Sequence, residues 1–231
     1  AALGCLELAR ARHANEAALT AYDSVALGTT VWCRSESLSP DERVNPNASD
    51  SIGLFRVVGD GSRVASVLDW IDADDEPREG GAERDWYGAR GRSTPRNGPI
   101  RDAKELRLIR GFEQVSMGDL ERSFTARGEG RLSPNRAPGW ALASIAALSP
   151  QDVSKIVARR GPAARFVTAE ELVSMTGIDV GIEEFRVVTR RLSFTESERT
   201  TRFQGLVDAG TRRLDYTVVA VLHETPQGLS V

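Results

Sequence analysis

A chain of 231 residues, 40% apolar and 27% charged, can bury one large core or two small ones. Its net charge of −3 excludes a polyanion-binder that works by bulk charge. No run of eighteen apolar residues occurs, which excludes a membrane-spanning helix inside the sequence, and no signal-peptide pattern opens it.

Residues 1–27 are rich in Ala, Leu, Glu and Arg without proline, which predicts a helix. Leu3, Leu6, Ala14, Ala17, Ala18 and Leu27 hold part of one face, and Gly28 is a stop. The sequence starts mid-pattern without an initiator Met, as expected if an upstream part has been removed. TTVWCRSES (29–37) alternates and carries β-branched residues, which predicts a strand. Short helices and turns follow to about residue 180. FRVVTRRLSF (185–194), TTRFQGLVDAG (200–210) and RRLDYTVVAVLHE (212–224) then predict three strands of an antiparallel meander. The order predicts an α+β fold in which residues 1–37 and 181–231 form one unit, with residues 38–180 inserted as a helical domain. Cys5 and Cys33 lie far from His13 and His223, too few and too scattered for zinc, and read as small buried hydrophobes.

The helical block holds a weak repeat. VNPNAS (44–49) and LSPNRAP (132–138) share an apolar–x–Pro–Asn pattern. Each precedes a short apolar segment, IGLFRVV (52–58) or WALASIAA (140–147), then a turn and a second helix, so a helical hairpin is used twice. Asn45, Asn47 and Asn135 suit turn and N-cap positions. The first hairpin turns through Gly59-Asp60-Gly61 and resembles a helix-hairpin-helix, whose turn N–H groups can bind a DNA phosphate. DNA binding or uptake is therefore an alternative function. A plain packing unit is the stronger reading, because phosphate binding needs nearby positive charge and this helix runs straight into acids.

That acidic stretch, DWIDADDEPREGGAERDWY (69–87), holds eight carboxylates against two arginines. Asp69, Asp72 and Asp75/Glu76 recur at helical spacing on one face, and Asp74 and Asp75 oppose the helix dipole. Gly80-Gly81 lets the chain return Glu83 and Asp85 to the same place. Oxygen ligands on a flexible loop, without His or Cys, suit Ca²⁺ better than zinc, although the EF-hand pattern is absent. The competing reading is a solvated loop with Arg78 and Arg84 as ionic partners. No nucleophile elbow, phosphate loop or dinucleotide fingerprint is present, so the expectation is a protein that is not an enzyme.

The run DWIDADDEP…GGAERDWY, then PRNGPIRDAKELRLIRGF (95–112), then GEGRLSPNRAP (128–138), resembles the K-type minor pseudopilins of the bacterial type II secretion system. The likeness extends from about residue 29 to the last strand. It implies a pilin-like fold, an N-terminal helix packed on an antiparallel sheet, with a large inserted α-helical domain. It implies calcium in that domain, held by Asp72, Asp74, Asp75 and Glu83, with Asp69 and Asp85 as further candidates. It also implies a place at the pseudopilus tip beside the I- and J-type minor pseudopilins, and an inner-membrane anchor upstream of a periplasmic part. In that setting the Ala-rich first helix is the expected partner surface, with Ala2, Leu6, Ala9 and Ala14 as contact positions and small side chains permitting close helix approach.

Overall fold

The structure is a computed structural model that describes residues 22–26, 31–37, 39–161, 165–195, 199–208, 213–225 and 228–230. The chain divides into two compact units, Ala1–Ser39 with Ser197–Val231, and Pro40–Glu196.

In the first unit, strands β1 (Tyr22–Ala26), β2 (Val31–Ser37), β3 (Arg199–Asp208), β4 (Arg213–Thr225) and β5 (Gly228–Ser230) pair antiparallel in that order. The register sets Val25 opposite Cys33, Cys33 opposite Gly205 and Gly205 opposite Tyr216. Two expectations change here. Residues 22–26 were expected as the end of a helix and are a strand, because Tyr22 and Val25 favour strands and Asp23 and Ser24 are poor helix formers, unlike the Ala-rich run before them. Residues 1–21 lie outside the described part, and with them Cys5 and the positions Ala2, Leu6, Ala9 and Ala14.

The second correction concerns residues 185–194, expected as a strand. They lie in helix α8 (Ile182–Arg191) and its exit. Val188 and Leu192, four apart, are buried, while Glu183 and Glu184 open the helix and Arg190 and Arg191 close it, in accord with its dipole. The body therefore ends at Glu196, and the expected boundary at residue 181 moves accordingly.

That body is helical: α1 (Ser51–Val58), α2 (Gly61–Ile71), α3 (Arg84–Gly88), α4 (Met117–Ser123), α5 (Gly139–Leu142), α6 (Pro150–Arg159), α7 (Ala169–Thr176) and α8. Leu54, Trp70, Tyr87, Leu106, Ile109, Leu142, Ile145, Ile156, Phe166 and Val188 are almost wholly buried in one core. The helices are short and strongly capped. Asp50 accepts from the N–H of Gly53, Ser116 from that of Asp119, and Ser149 forms a reciprocal capping box with Asp152.

Both expected hairpins are present, α1–α2 and α5–α6, and they lean on one another. A Cβ at Gly53 would lie 2.1 Å from the carbonyl oxygen of Ser144, so only glycine allows α1 to approach the segment after α5. Arg56 at the end of α1 donates to the carbonyl oxygens of Leu148 at 2.7 Å and Ile145 at 3.3 Å, satisfying the glycine-free turn of the second hairpin.

The repeat is also visible in chemistry. Asn47 accepts from the N–H of Ile100 and donates to its carbonyl, both at 2.8 Å. Asn135, its counterpart after the shared proline, does the same to Phe166, at 2.8 and 2.9 Å. Each amide acts as a spare peptide unit, pinning a loop residue whose side chain enters the core. Only Asn45 is an N-cap, accepting from Asn47 N–H.

Replacing Asn135 by Ala leaves the N–H and carbonyl of Phe166 without partners, and unfolding free energy should fall by about 1–3 kcal/mol. Asn135→Asp should be no better, since a carboxylate cannot donate to the carbonyl. Urea denaturation measures both; a midpoint unchanged in Asn135→Ala would remove the clip from the account.

Candidate metal centre

The acidic stretch is anchored at both ends by aromatic side chains. Trp70, on the inner face of α2, meets the Tyr87 ring edge-on at 5.5 Å, and its indole N–H donates to Glu105 at 3.0 Å. Tyr87 on α3 is fully buried, and its hydroxyl accepts from Arg110 N–H. Trp86 packs edge-on against Tyr87 and is covered by the Arg90 guanidinium, 4.1 Å from the ring centre, with Arg110 at 5.2 Å. Arg110 also donates to the carbonyls of Gly80 and Gly81, at 3.1 and 2.8 Å.

Between these anchors, Asp69, Asp72 and Glu83 converge, each offering a carboxylate oxygen within 4.8 Å of the others. Asp69 is completely buried on α2. Its carboxylate accepts from the backbone N–H of Arg78 and, at 2.8 Å, from that residue's guanidinium. Asp72 ends α2 and also accepts from Arg78. Gly80, with φ of +77°, turns the chain, and Gly81 lies so close that a Cβ would come within 1.9 Å of Asp69 Oδ2. The turn delivers Glu83 to the cluster.

Glu83 is the unusual member. It is 3% exposed, yet among the described residues neither carboxylate oxygen has a hydrogen-bond partner, and Asp72 Oδ1 is equally unpartnered. Buried oxygens left this way are costly. Burial first, then Asp69, Asp72, Asp75 and Asp74, push the Glu83 carboxyl up to about 7. One guanidinium faces three carboxylates.

The other expected ligands are elsewhere. Asp74 is exposed and accepts from Glu76 N–H. Asp75 accepts from Asn97 at 2.9 Å and lies 3.6 Å from Arg84. Asp85 is exposed on α3, outside the cluster. The arrangement thus joins both sequence readings. Arg78 and Arg84 are ionic partners, as in the solvated-loop reading, while three carboxylates with three orphaned oxygens make a hard-oxygen donor set that suits Ca²⁺. Sequence reasoning placed Asp69 among the less secure ligands, read Gly81 as part of a turn without its close approach to Asp69, and missed Arg110.

At the other hairpin turn, Asp60 accepts from the N–H groups of Ser62 and Arg63, which a phosphate would need. The turn therefore supplies its own anion.

Residues 49–129 match the family described as type II secretion system (T2SS), protein K. No curated protein matches the chain in sequence. Among solved structures, a chain of the GspK-GspI-GspJ complex from the type 2 secretion system of enterotoxigenic Escherichia coli is similar, with a TM-score of 0.67 at 16% identity. The match covers 99% of this chain and 90% of that one. The fold, a helical body and an antiparallel sheet, is similar to that of the matched chain. The sequence likeness to protein K thus lies in residues 49–129, and the likeness of fold extends over nearly the whole chain.

If the three carboxylates hold Ca²⁺, melting should move up with the ion and down with a chelator, by roughly 2.7 kcal/mol at a hundredfold excess over Kd. Glu83→Gln should shrink that shift, and Gly81→Ala should remove it by displacing Asp69. An unchanged melting curve with both Ca²⁺ and chelator would sink the site.

The raised Glu83 carboxyl fixes a pH dependence. In the ion-free protein its contribution to stability is full below the unfolded value of 4.5 and is lost as pH rises through about 7. Calcium needs the deprotonated form, so its affinity should climb from pH 5.5 to 8 and flatten above that. Calorimetry across this range reads the trend, and Glu83→Gln should lack it.

Proposed function

We propose that this chain is the periplasmic part of a structural subunit at the tip of a type II secretion pseudopilus. It assembles there with the I- and J-type minor pseudopilins and supports export of folded proteins across the outer membrane. The observation that carries this reading is the protein K match over residues 49–129 of the helical body, joined to a fold similarity that runs over nearly the whole chain. The role is mechanical and non-enzymatic. In this reading the helical body caps the filament, so that subunits add beneath it.

Among the described residues no helix is long and apolar enough to cross a membrane. Anchoring in the inner membrane through a helix upstream of this sequence is part of the proposal. So is an N-terminal helix packed on the sheet, with its partner face at Ala2, Leu6, Ala9 and Ala14. Calcium held by Asp69, Asp72 and Glu83 fixes the loop between α2 and α3. The ion is structural, binding a native arrangement that three carboxylates destabilise when left alone.

Co-expression with the I- and J-type subunits tests the assembly. A complex that survives gel filtration is expected. Ala9→Arg should abolish it while the isolated chain keeps its melting temperature. If arginine at Ala2, Ala9 and Ala14 leaves assembly intact, the interface is not the first helix. If the unsubstituted chain forms no complex, the assembly role falls.

A further inference from the structure

We infer that Arg78 is an internal counter-ion that a divalent cation must displace, so that this one side chain sets the affinity of the carboxylate site. The inference rests on the proposal that Asp69, Asp72 and Glu83 form a cation site, and it adds a competitor to it. The guanidinium of Arg78 spans Asp69 and Asp72 through a single nitrogen, Nη1. That nitrogen occupies the space between two of the three converging carboxylates. It does not reach the third, because both oxygens of Glu83 remain unpartnered although the residue is buried. One positive charge therefore serves two of three acids, which leaves the cluster short of cation.

The geometry permits the exchange. The Arg78 side chain is 44% exposed, so its guanidinium can swing to solvent without passing through the core. Its backbone N–H is held separately by both oxygens of Asp69, at 3.3 Å, so the loop keeps its course when the side chain leaves. Gly80 and Gly81 are fixed independently by Arg110. A dication entering between Asp69, Asp72 and Glu83 meets three carboxylates and repels the guanidinium. Arg78 thus keeps the ion-free fold from carrying three unneutralised acids and weakens ion binding by the same interaction.

The test compares Ca²⁺ affinity by calorimetry in the unsubstituted chain, Arg78→Gln, Arg78→Lys and Arg84→Gln. Arg84 pairs with Asp75 outside the cluster and controls for a general loss of positive charge. Arg78→Gln should bind Ca²⁺ about tenfold or more tightly, because a like charge a few ångströms from the ion is gone. Its ion-free melting temperature should fall, and its shift on adding Ca²⁺ should grow. Arg78→Lys keeps the charge, and with it the fold, but a single ammonium spans two carboxylates less well, so its affinity should lie between. Arg84→Gln should stay within about threefold of the parent. Arg78 variants that bind no more tightly than the parent, or Arg84→Gln gaining as much as Arg78→Gln, would overturn the inference while leaving the site standing. Binding by Arg78→Gln alone would support it in its strongest form. No binding by any of the four chains overturns the site and the inference together.

Discussion

A carboxylate in the interior of a helix-packed domain has to be answered by the chain around it, and in this body Asp69 makes that demand. It sits on the inward face of α2 beside Trp70, without exposure. An unpaired charge there would cost several kcal/mol. The chain answers within nine residues: Arg78 supplies both a backbone N–H and a guanidinium. Bringing Arg78 back requires the loop to double on itself. Doubling back presses Gly81 against the carboxylate, where no side chain fits. The same path carries Glu83 into the interior. The aromatic anchors Trp70 and Tyr87, in edge contact, hold the two ends of the excursion to the core.

The two hairpins show how a small helical body acquires one core from repeated parts. Isolated helices of four to eleven residues are too short to persist by propensity alone. They persist here because caps satisfy their ends and because each repeat carries an asparagine that pins a buried residue of a distant loop. Ile100 and Phe166 are held this way, at separations of 53 and 31 residues from their asparagines. The repeats have diverged at their turns. The first uses Gly59 in a left-handed conformation. The second uses Ser149 and Asp152, with Arg56 of the first hairpin serving its carbonyls.

Much of the loop was legible in the sequence because like charges so dense require an explanation, and Gly-Gly between them predicts a reversal. Which acids converge was not legible. Asp72, Asp74 and Asp75 are near neighbours in sequence, and only the end of α2 at Ile71 decides that Asp72 turns inward while the other two face water. The hairpins were read from their apolar segments and turns. The role of Asn47 and Asn135 was not, since local spacing gives no sign of a partner dozens of residues away. The misreading of residues 185–194 has a plain cause. Phe185, Val187 and Thr189 alternate and favour strands, but Val188 and Leu192 are the buried pair, and the charges at both ends already marked a helix.

Seen along the chain, Pro40–Glu196 is the connection of a β-hairpin, because β2 and β3 are neighbours with Ser37 opposite Thr201. Closing a loop of that length costs about 2 kcal/mol more chain entropy than closing one of ten residues. The body removes most of that difference by its own folding. Ser133 donates to the carbonyl of Asp41, and Leu132 exchanges hydrogen bonds with Arg191 and Ser193, so one short segment clasps both the first and the last residues of the body. Once folded, it presents its two ends side by side, and the strands that follow from them pair as though joined by a short turn. Synthesis order then becomes folding order: β2 can meet β1 early but waits for β3 until the whole body has been made. The same clasp makes the body a module that a lineage can enlarge, trim or exchange while the sheet keeps its register.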